Sequence, residues 1–512
     1  MKKLEKTYEQ LVSLDFSNLL DDEAIESLGT LIDISDIIKK PEGLNHALDI
    51  SELLLKRDLS SKNNALIHYY IANVWSSKRK FSYFQDDETW KWQQQEFEEE
   101  ILHLRFALLY FSQSANQIDE QIKIRACQIF TNLGNLFDTV GRFVEAIDYY
   151  NKALELDSNF SMALGNKGIT LFHYGNSLYS CYGNILFIEK SCEYLQKAIQ
   201  LETDKFAKKA FQDYYSKGES WIKQINCKKK NEKNPDNLLG NSHEEIQYRS
   251  WCLKQKLFLN PLNDILTTPD VARDDILLPL HTKKPTAYFD YFNQLKQEYV
   301  FSRFVFYQSM TMNSLHYSDR CIPLTDTLNY SIFSSEIEGL KTSFRMSYSI
   351  FDKIGYFIYK YLGLKLDANH VYFHSLWYEN GNTKDRILQP NFINKNNWPL
   401  RGLFWLSKDL LFRDDDETKP IEPEAKDLKN IRNHLEHKYC IIHEDFHNIT
   451  EKTDEYYSLS RHELEQKTLK IMKTARAAII YLALGIHREE SLNKKDSWDI
   501  YAPMFLPIVE KE

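Results

Sequence analysis

Residues 131–157 read TNLGNLFDTVGRFVEAIDYYNKALELD, and this stretch decides the fold of the N-terminal half. Small residues such as Gly134 and Ala146 alternate with large ones such as Tyr150, at spacings that suit two helices joined by a turn near Gly141. Small residues let two antiparallel helices approach closely, and large residues fill the space between them. The stretch therefore predicts a helical hairpin.

This hairpin resembles one tetratricopeptide (TPR) repeat, a unit that stacks on its neighbours into an α-solenoid. Gly168 follows Gly134 by 34 residues, which is the TPR period, and opens a second unit that closes at Leu201 after an insertion around 176–187. A weaker unit is expected within 65–111, and an unrelated array of helical hairpins is the alternative. Because such stacks usually bind other molecules, the resemblance implies a protein or ligand at the TPR-like surface.

The C-terminal half returns to the helical period. Residues at steps of 4,3,4,3,4,3 from Leu340 to Tyr361 form one mainly apolar stripe on a long helix. Glu336 and Glu338 begin this helix and Arg345 lies on it; these residues either line a cleft or solvate the helix end. Further helices are expected at about 286–312, at 399–412, from Pro423 onward and at 460–486, whereas no structure is predicted for 365–398. The predicted fold class is all-α.

A change in composition marks the domain boundary. Residues 223–243, KQINCKKKNEKNPDNLLGNSH, are rich in Lys and Asn, and such a stretch cannot support a core helix. A solvated linker is favoured over a nucleic-acid contact for its lysines. The expected units are a TPR-like domain at 1–222 with its clearest repeats at 131–201, a linker and connecting segment at 223–284, a helical bundle at 285–490 and a C-terminal tail at 491–512.

The composition excludes several classes of protein. With 16 Gly and 13 Pro in 512 residues, the chain is neither collagen-like nor a Pro/Gly-rich disordered protein, and a net charge of -9 excludes a uniformly basic nucleic-acid coat protein. Seven scattered cysteines without a C-x-x-C pair predict no disulfide framework, so the cytoplasm is the expected location. No signal peptide and no membrane-spanning stretch is predicted. Nucleotide-binding glycine loops and a G-x-S-x-G elbow are absent.

Residues 432–439, RNHLEHKY, carry the most informative set of side chains. Asn433 and His437 are four residues apart and share a helix face, and Arg432 lies at the flank of that face. A histidine transfers protons near neutral pH, and an arginine holds phosphate oxygens. This set suits RNA cleavage without a metal ion, whereas a plain surface salt bridge between Arg432 and Glu436 is the alternative.

The motif resembles the R-N-x-x-x-H signature of the HEPN superfamily of small helical bundles, some members of which carry TPR-like N-termini. The resemblance covers roughly 285–490 together with the TPR half. It implies a C-terminal HEPN-type bundle and a metal-independent endoribonuclease that leaves a 2′,3′-cyclic phosphate, with Arg432, Asn433 and His437 catalytic and no cofactor. It also implies a homodimer in which two motifs face one cleft, because one histidine cannot easily supply both base and acid.

The resemblance also implies a biological role. Such domain pairs look like bacterial toxins or antiviral effectors in which the sensor half restrains the nuclease. The alternative is a TPR scaffold whose HEPN bundle is catalytically silent and only dimerises or binds nucleotides. Glu436 and Tyr439 adjoin the catalytic set, and R-x4-H-x-Y resembles HEPN toxins that a partner nucleotidyltransferase silences by attaching AMP to the tyrosine. A packing tyrosine is the alternative for Tyr439.

A rival motif follows directly, because residues 443–447, HEDFH, match the H-E-x-x-H zinc hydrolase signature. Asp445 places a charge where such helices carry apolar residues. A third zinc ligand could come only from His462 or Glu463 downstream. A solvated loop is therefore favoured. An incidental metal site is the other alternative for the histidines of this region, which are His434, His437, His443 and His447.

Overall fold

A computed structural model describes residues 2–83, 92–113, 120–224, 238–280, 285–312, 315–325, 329–393, 395–410, 421–446 and 456–492. The N-terminal helices are α1 (Lys2–Val12), α2 (Asp21–Ile37), α3 (Pro41–Leu54), α4 (Ser61–Tyr83), α5 (Gln95–Gln113), α6 (Glu120–Thr139), α7 (Phe143–Leu156), α8 (Ser161–Ser177), α9 (Cys181–Gln200) and α10 (Lys205–Gln224). The remaining elements are α11 (His243–Gln255), α12 (Ala287–Thr311), α13 (Ser335–Leu362), α14 (Pro390–Ile393), α15 (Trp398–Asp409), α16 (Ala425–His437), β1 (Tyr439–His443), β2 (Tyr456–Ser460) and α17 (Arg461–Leu492). The predicted all-α class is confirmed, with one small sheet added.

The hairpin α6–α7 forms because its small and large residues face each other. A Cβ atom at Gly134 would lie 2.5 Å from the Tyr150 ring, so only glycine permits this contact. The next hairpin is α8–α9, and the insertion expected around 176–187 is helical for the most part, because α9 begins at Cys181 and Gly168 meets Leu195, 27 residues further on, whereas Gly134 meets Tyr150 after 16. The turn is short because the Ser180 side chain accepts a hydrogen bond from the amide of Gly183 at 3.3 Å and caps α9 there.

The segment between the two halves is packed from residue 238 to residue 280, although much of it was expected to be a linker. The predicted lysine run at 228–230 lies outside the described residues. Asp264 joins both halves, since its carboxylate accepts from the Tyr174 hydroxyl of α8 at 2.9 Å and from Arg476 Nη1 of α17 at 2.6 Å. This segment therefore forms part of the core.

The C-terminal bundle is built on α12, α13 and α17, and the stripe predicted along α13 is buried from Leu340 to Ile358. The helix expected from Pro423 onward begins at Ala425 and ends at His437, and β1 follows it. Strand β1 pairs in parallel with β2, in the register Tyr439 to Tyr456 through His443 to Ser460. Residues 411–420 and most of the tail predicted at 491–512 lie outside the described residues.

Helix α15 is the centre of the molecule. Its residues from Pro399 to Asp409 are all buried, and a helix that is buried all round must be covered on every side. Helix α17 covers one side and the α6–α7 turn covers another. A Cβ atom at Gly402 would lie 2.2 Å from the carbonyl oxygen of Gly141, which has a φ of 91°. One apolar core therefore runs through the TPR repeats and the bundle.

Buried ion pairs also join the two halves. Asp409 of α15 accepts hydrogen bonds from Arg105 of α5 at 2.7 and 3.0 Å. Arg142, at the start of α7, lies 2.6 Å from the same carboxylate. Although burial opposes its ionisation, these two guanidiniums hold the pKa of Asp409 well below its usual range. Lys408 likewise pairs with Glu98 of α5.

Cysteine chemistry differs from the prediction at one position. Cys181 is disulfide-bonded, which the scattered spacing of the cysteines did not predict. The other described cysteines are free thiols: Cys127, Cys192, Cys252, Cys321 and Cys440.

Candidate functional site

Helix α16 presents the R-N-x-x-x-H motif. It is amphipathic, and Leu428 and Ile431 anchor it in the core against α13 and the small sheet. At its start Glu424 pairs with Lys467 and Lys470 of α17, at 2.7 and 2.6 Å. These contacts fix the helix while leaving its C-terminal turn open to solvent.

Arg432 is half-buried, and its Nη1 donates a hydrogen bond to Oδ1 of Asn433 at 3.0 Å. Within the described part of the chain, Arg432 forms no ion pair, and Glu436 does not pair with it. The alternative of a surface salt bridge between Arg432 and Glu436 is therefore not realised. The guanidinium retains donors for an anion, because a single amide oxygen occupies only one of them.

His437 is the last residue of α16 and is exposed. Among the described residues its imidazole makes no hydrogen bond and no ion pair. Asn433 lies one turn before it on the same helix but contacts Arg432 instead. The structure therefore brings Arg432 and Asn433 into contact and leaves the imidazole of His437 open on the adjacent surface.

A cavity of about 480 Å³ opens beside Arg432, between α12, α13 and α16. Sequence analysis missed most of its wall and left open whether Arg345 lines a cleft; it does. The signal was a second stripe on α13 at steps of 3, 4 and 4, beside the apolar one. The lining residues are Tyr291, Gln294, Leu295, Arg345, Tyr348, Ser349, Asp352, Lys353, Tyr356, Phe357, Arg432 and Glu436.

Electrostatics couple this cavity to the motif. Burial raises the pKa of Tyr348 to about 12, the Asp352 carboxylate adds to the rise, and the Arg432 guanidinium opposes it. The Tyr348 hydroxyl therefore keeps its proton at neutral pH and remains a hydrogen-bond donor. His437 is not part of the cavity wall, whereas Arg432, five residues before it on α16, is.

The two glutamates predicted at the start of the long helix form ion pairs at that end of the helix. Glu336 pairs with Arg461 of α17, and Glu338 pairs with Lys341 at 2.8 Å. Neither glutamate lines the cavity.

The zinc-hydrolase alternative is wrong in geometry. His443 ends strand β1, whereas the signature needs both histidines on one helical turn. Its ring is buried, with Nδ1 2.9 Å from the Asn329 carbonyl oxygen and Nε2 3.2 Å from the Ser458 hydroxyl. His447 lies outside the described residues. Throughout the described ranges, no three His, Cys, Asp or Glu side chains converge to hold a metal ion.

Tyr439 begins β1, two residues after His437, and its side chain is 76% exposed. A tyrosine that packed in the core would be buried, so the packing alternative is wrong. Its hydroxyl is open to solvent beside the motif.

Comparison with known families agrees with these two regions of the fold. The family model described as LA2681-like HEPN matches residues 280–489, from just before α12 to near the end of α17. The model described as tetratricopeptide repeat matches residues 127–160, which contain most of the α6–α7 hairpin. No curated protein matches the chain. Within the described residues, no helix is long and apolar enough to cross a membrane. The chain therefore carries an LA2681-like HEPN domain at 280–489 and a tetratricopeptide repeat at 127–160.

Proposed function

We propose that this chain, which carries an LA2681-like HEPN domain after a tetratricopeptide repeat, is an endoribonuclease that acts without a metal ion. One observation carries the proposal. The end of α16 presents an arginine with no carboxylate partner among the described residues, and an exposed histidine five residues further on. An anion held by Arg432 would lie next to the His437 imidazole.

The chemistry needs a base, a cation and an acid. His437 takes the proton of a ribose 2′-hydroxyl, and the 2′-oxygen attacks the adjacent phosphorus. Arg432 stabilises the negative charge that grows on the phosphoryl oxygens, and Asn433 positions its guanidinium through the 3.0 Å hydrogen bond. The bond to the 5′-oxygen breaks, and the products are a 2′,3′-cyclic phosphate and a protonated 5′-hydroxyl.

The acid that protonates the leaving 5′-oxygen comes from a second copy of the chain in this proposal. His437 is exposed at the end of its helix, so the same residue of a second copy can reach a shared cleft. A homodimer with a composite site follows, and RNA is the substrate.

The first experiment is cleavage of total RNA and of a tRNA pool by the full chain in EDTA. His437→Ala and Arg432→Ala are each expected to lose activity at least about 10²-fold, because each removes a group that acts in the transition state. His370→Ala and Arg488→Gln, which change an exposed histidine and an exposed arginine elsewhere in the domain, should cleave like the wild type. Fragments should end in 2′,3′-cyclic phosphate.

Equal cleavage by His437→Ala and wild type would overturn the proposal. If the wild type cleaves nothing in vitro, toxicity on expression decides the matter. Toxicity that His437→Ala abolishes supports a nuclease that needs a trigger. Absence of toxicity refutes the nuclease and leaves the alternative of a scaffold whose bundle dimerises or binds nucleotides.

The biological role we propose is that of a toxin or antiviral effector that the TPR-like half regulates by binding a protein or ligand. The exposure of Tyr439 supports a second level of control, in which a partner nucleotidyltransferase attaches AMP to its hydroxyl. The intact mass of the chain purified from its own host should then include one AMP, which Tyr439→Phe should remove. If the chain is inactive in its own host and its mass there includes no AMP, this mode of control is contradicted.

A further inference from the structure

The cavity beside Arg432 has a mixed aromatic and cationic wall. Arg345, Tyr348, Asp352 and Tyr356 follow one another along α13 and face the cavity, and Arg432 of α16 closes it. Its volume of about 480 Å³ lies in the range of small-molecule sites, roughly 300–1,000 Å³. A cavity of this size accepts one nucleotide but not a helical nucleic acid.

The two arginines of this wall are uncommitted. Arg345 donates only a long hydrogen bond to the Thr342 hydroxyl at 3.4 Å, and Arg432 donates only to Asn433. In the part of the chain that the structure describes, neither forms an ion pair. Four of the buried arginines contrast with them, since each pairs with an aspartate: Arg105, Arg142, Arg303 and Arg476.

The remaining charges of the wall form no ion pair with these arginines among the described residues. Lys353 pairs with Glu298, which lies outside the cavity wall. Asp352 keeps its negative charge, and its carboxylate accepts a hydrogen bond from the Phe373 amide at 3.0 Å. Glu436 is exposed at the rim. The cavity therefore offers two guanidiniums to an incoming anion.

The aromatic side chains offer a surface for a flat ring. Tyr291 and Tyr356 are each 38% exposed where α12 and α13 flank the opening. A half-exposed tyrosine at the mouth of a cavity presents a ring face on which a nucleobase stacks, whatever the base. The protonated Tyr348 hydroxyl lies deeper and is a donor for a carbonyl or phosphate oxygen.

We propose that this cavity binds one nucleotide of the substrate, with its phosphate between Arg345 and Arg432 and its base stacked on Tyr356. The proposal rests on the proposed function and deepens it, because Arg432 belongs to both the cavity and the cleavage motif. The bound nucleotide is thus the neighbour of the scissile phosphate, and the cavity fixes the register of the RNA against His437.

Calorimetric titration of the full chain with 5′-AMP, 5′-UMP and inorganic phosphate tests the proposal. At least one nucleotide should bind more tightly than phosphate, because only the nucleotide reaches the aromatic wall. Tyr356→Ala should weaken nucleotide binding about tenfold and leave phosphate binding unchanged. Arg345→Gln should weaken both, because it removes a phosphate contact. Tyr372→Ala and Arg488→Gln, at exposed positions outside the cavity, are the matched controls.

Equal affinity for nucleotide and phosphate would overturn the proposal, and so would wild-type affinity in Tyr356→Ala and Arg345→Gln. Absence of nucleotide binding at millimolar concentration would overturn it as well. His437→Ala separates the two proposals. It should bind the nucleotide like the wild type while losing cleavage. If the chain binds the nucleotide but never cleaves RNA, the proposed function is refuted and the nucleotide site stands. If Tyr356→Ala and Arg345→Gln cleave RNA like the wild type, the nucleotide site is refuted and the proposed function stands.

Discussion

Asp409 is the carboxylate through which the N-terminal helices hold the C-terminal bundle, and its replacement by asparagine tests that joint. Arg105 donates to both of its oxygens, at 2.7 and 3.0 Å, and Arg142 lies 2.6 Å from one of them. All three side chains are less than one tenth exposed. Asp409→Asn keeps the shape of the side chain and removes the charge.

The expected cost follows from what remains around the two guanidiniums. Removing one partner of a buried ion pair costs about 3–5 kcal/mol, because the other charge stays buried without compensation. Arg105 keeps Glu422 at 3.4 Å and Arg142 keeps Glu145 at 2.8 Å. The loss should therefore fall near the lower end, about 3 kcal/mol. In a cooperative unit larger than 250 residues, this lowers the Tm by roughly 3–6 °C.

Differential scanning calorimetry of the full chain measures this loss. Glu193→Gln is the matched control, because it breaks an ion pair with Lys190 of similar length, 2.7 Å, between side chains that are 55% and 34% exposed. That change should cost less than about 1 kcal/mol. A Tm for Asp409→Asn equal to that of the control would refute the reasoning. Two separate transitions, of which only one moves, would refute the shared core.

Two further predictions concern packing and pH. Gly402→Ala should lower the Tm, because the added Cβ would lie 2.2 Å from the Gly141 carbonyl oxygen and overpacking costs about 1–3 kcal/mol. Gly485→Ala is the control and should leave the Tm unchanged, because the nearest atom to its Cβ is 3.4 Å away. Equal Tm values for the two variants would contradict the close contact at Gly402. Burial lowers the pKa of Lys167 from 10.5 to about 7. Between these pH values the Lys167 amine is neutral in the folded chain and protonated in the unfolded chain. The free energy of unfolding therefore gains from Lys167 as the pH rises. The Tm of wild type minus that of Lys167→Met should increase from pH 7 to pH 9.5; a constant difference would contradict the prediction.

The spacing of residues within single helices and hairpins predicted much of the fold. The contact between Gly134 and Tyr150 and the stripe along α13 depend on residues within one helix or one hairpin, so spacing alone predicts them. The small sheet was missed because β1 has only five residues and pairs with a strand that begins at Tyr456, more than ten residues further along the chain. Its presence ends α16 at His437 and moves Tyr439 and His443 off the helix, which a helical period cannot foretell.

The candidate site was predicted in part for the same reason. Arg432, Asn433 and His437 are neighbours in sequence, and the motif places them on one helix end. The cavity needs three helices that are distant in sequence, since α12 and α13 supply one side and α16 the other. The stripe of Arg345, Tyr348 and Asp352 is visible in the sequence, but it forms a cavity wall only because α16 lies beside it in the fold.

The shared core changes how regulation of this site has to be tested. A sensor on a linker could be deleted at the linker, and a truncation before residue 245 would then release the bundle. Here such a truncation would remove Arg105 and Arg142 from Asp409 and strip α15 of its cover along the α6–α7 turn. The truncated bundle would lose both partners of the Asp409 carboxylate and expose apolar surface, so lost activity would report unfolding. Coupling between the N-terminal helices and α16 can instead pass through α15 and α17, and through Arg105, which contacts Ile421 and Glu422 just before α16. Variants such as Asp409→Asn in the full chain, assayed for cleavage below their Tm, measure that coupling directly.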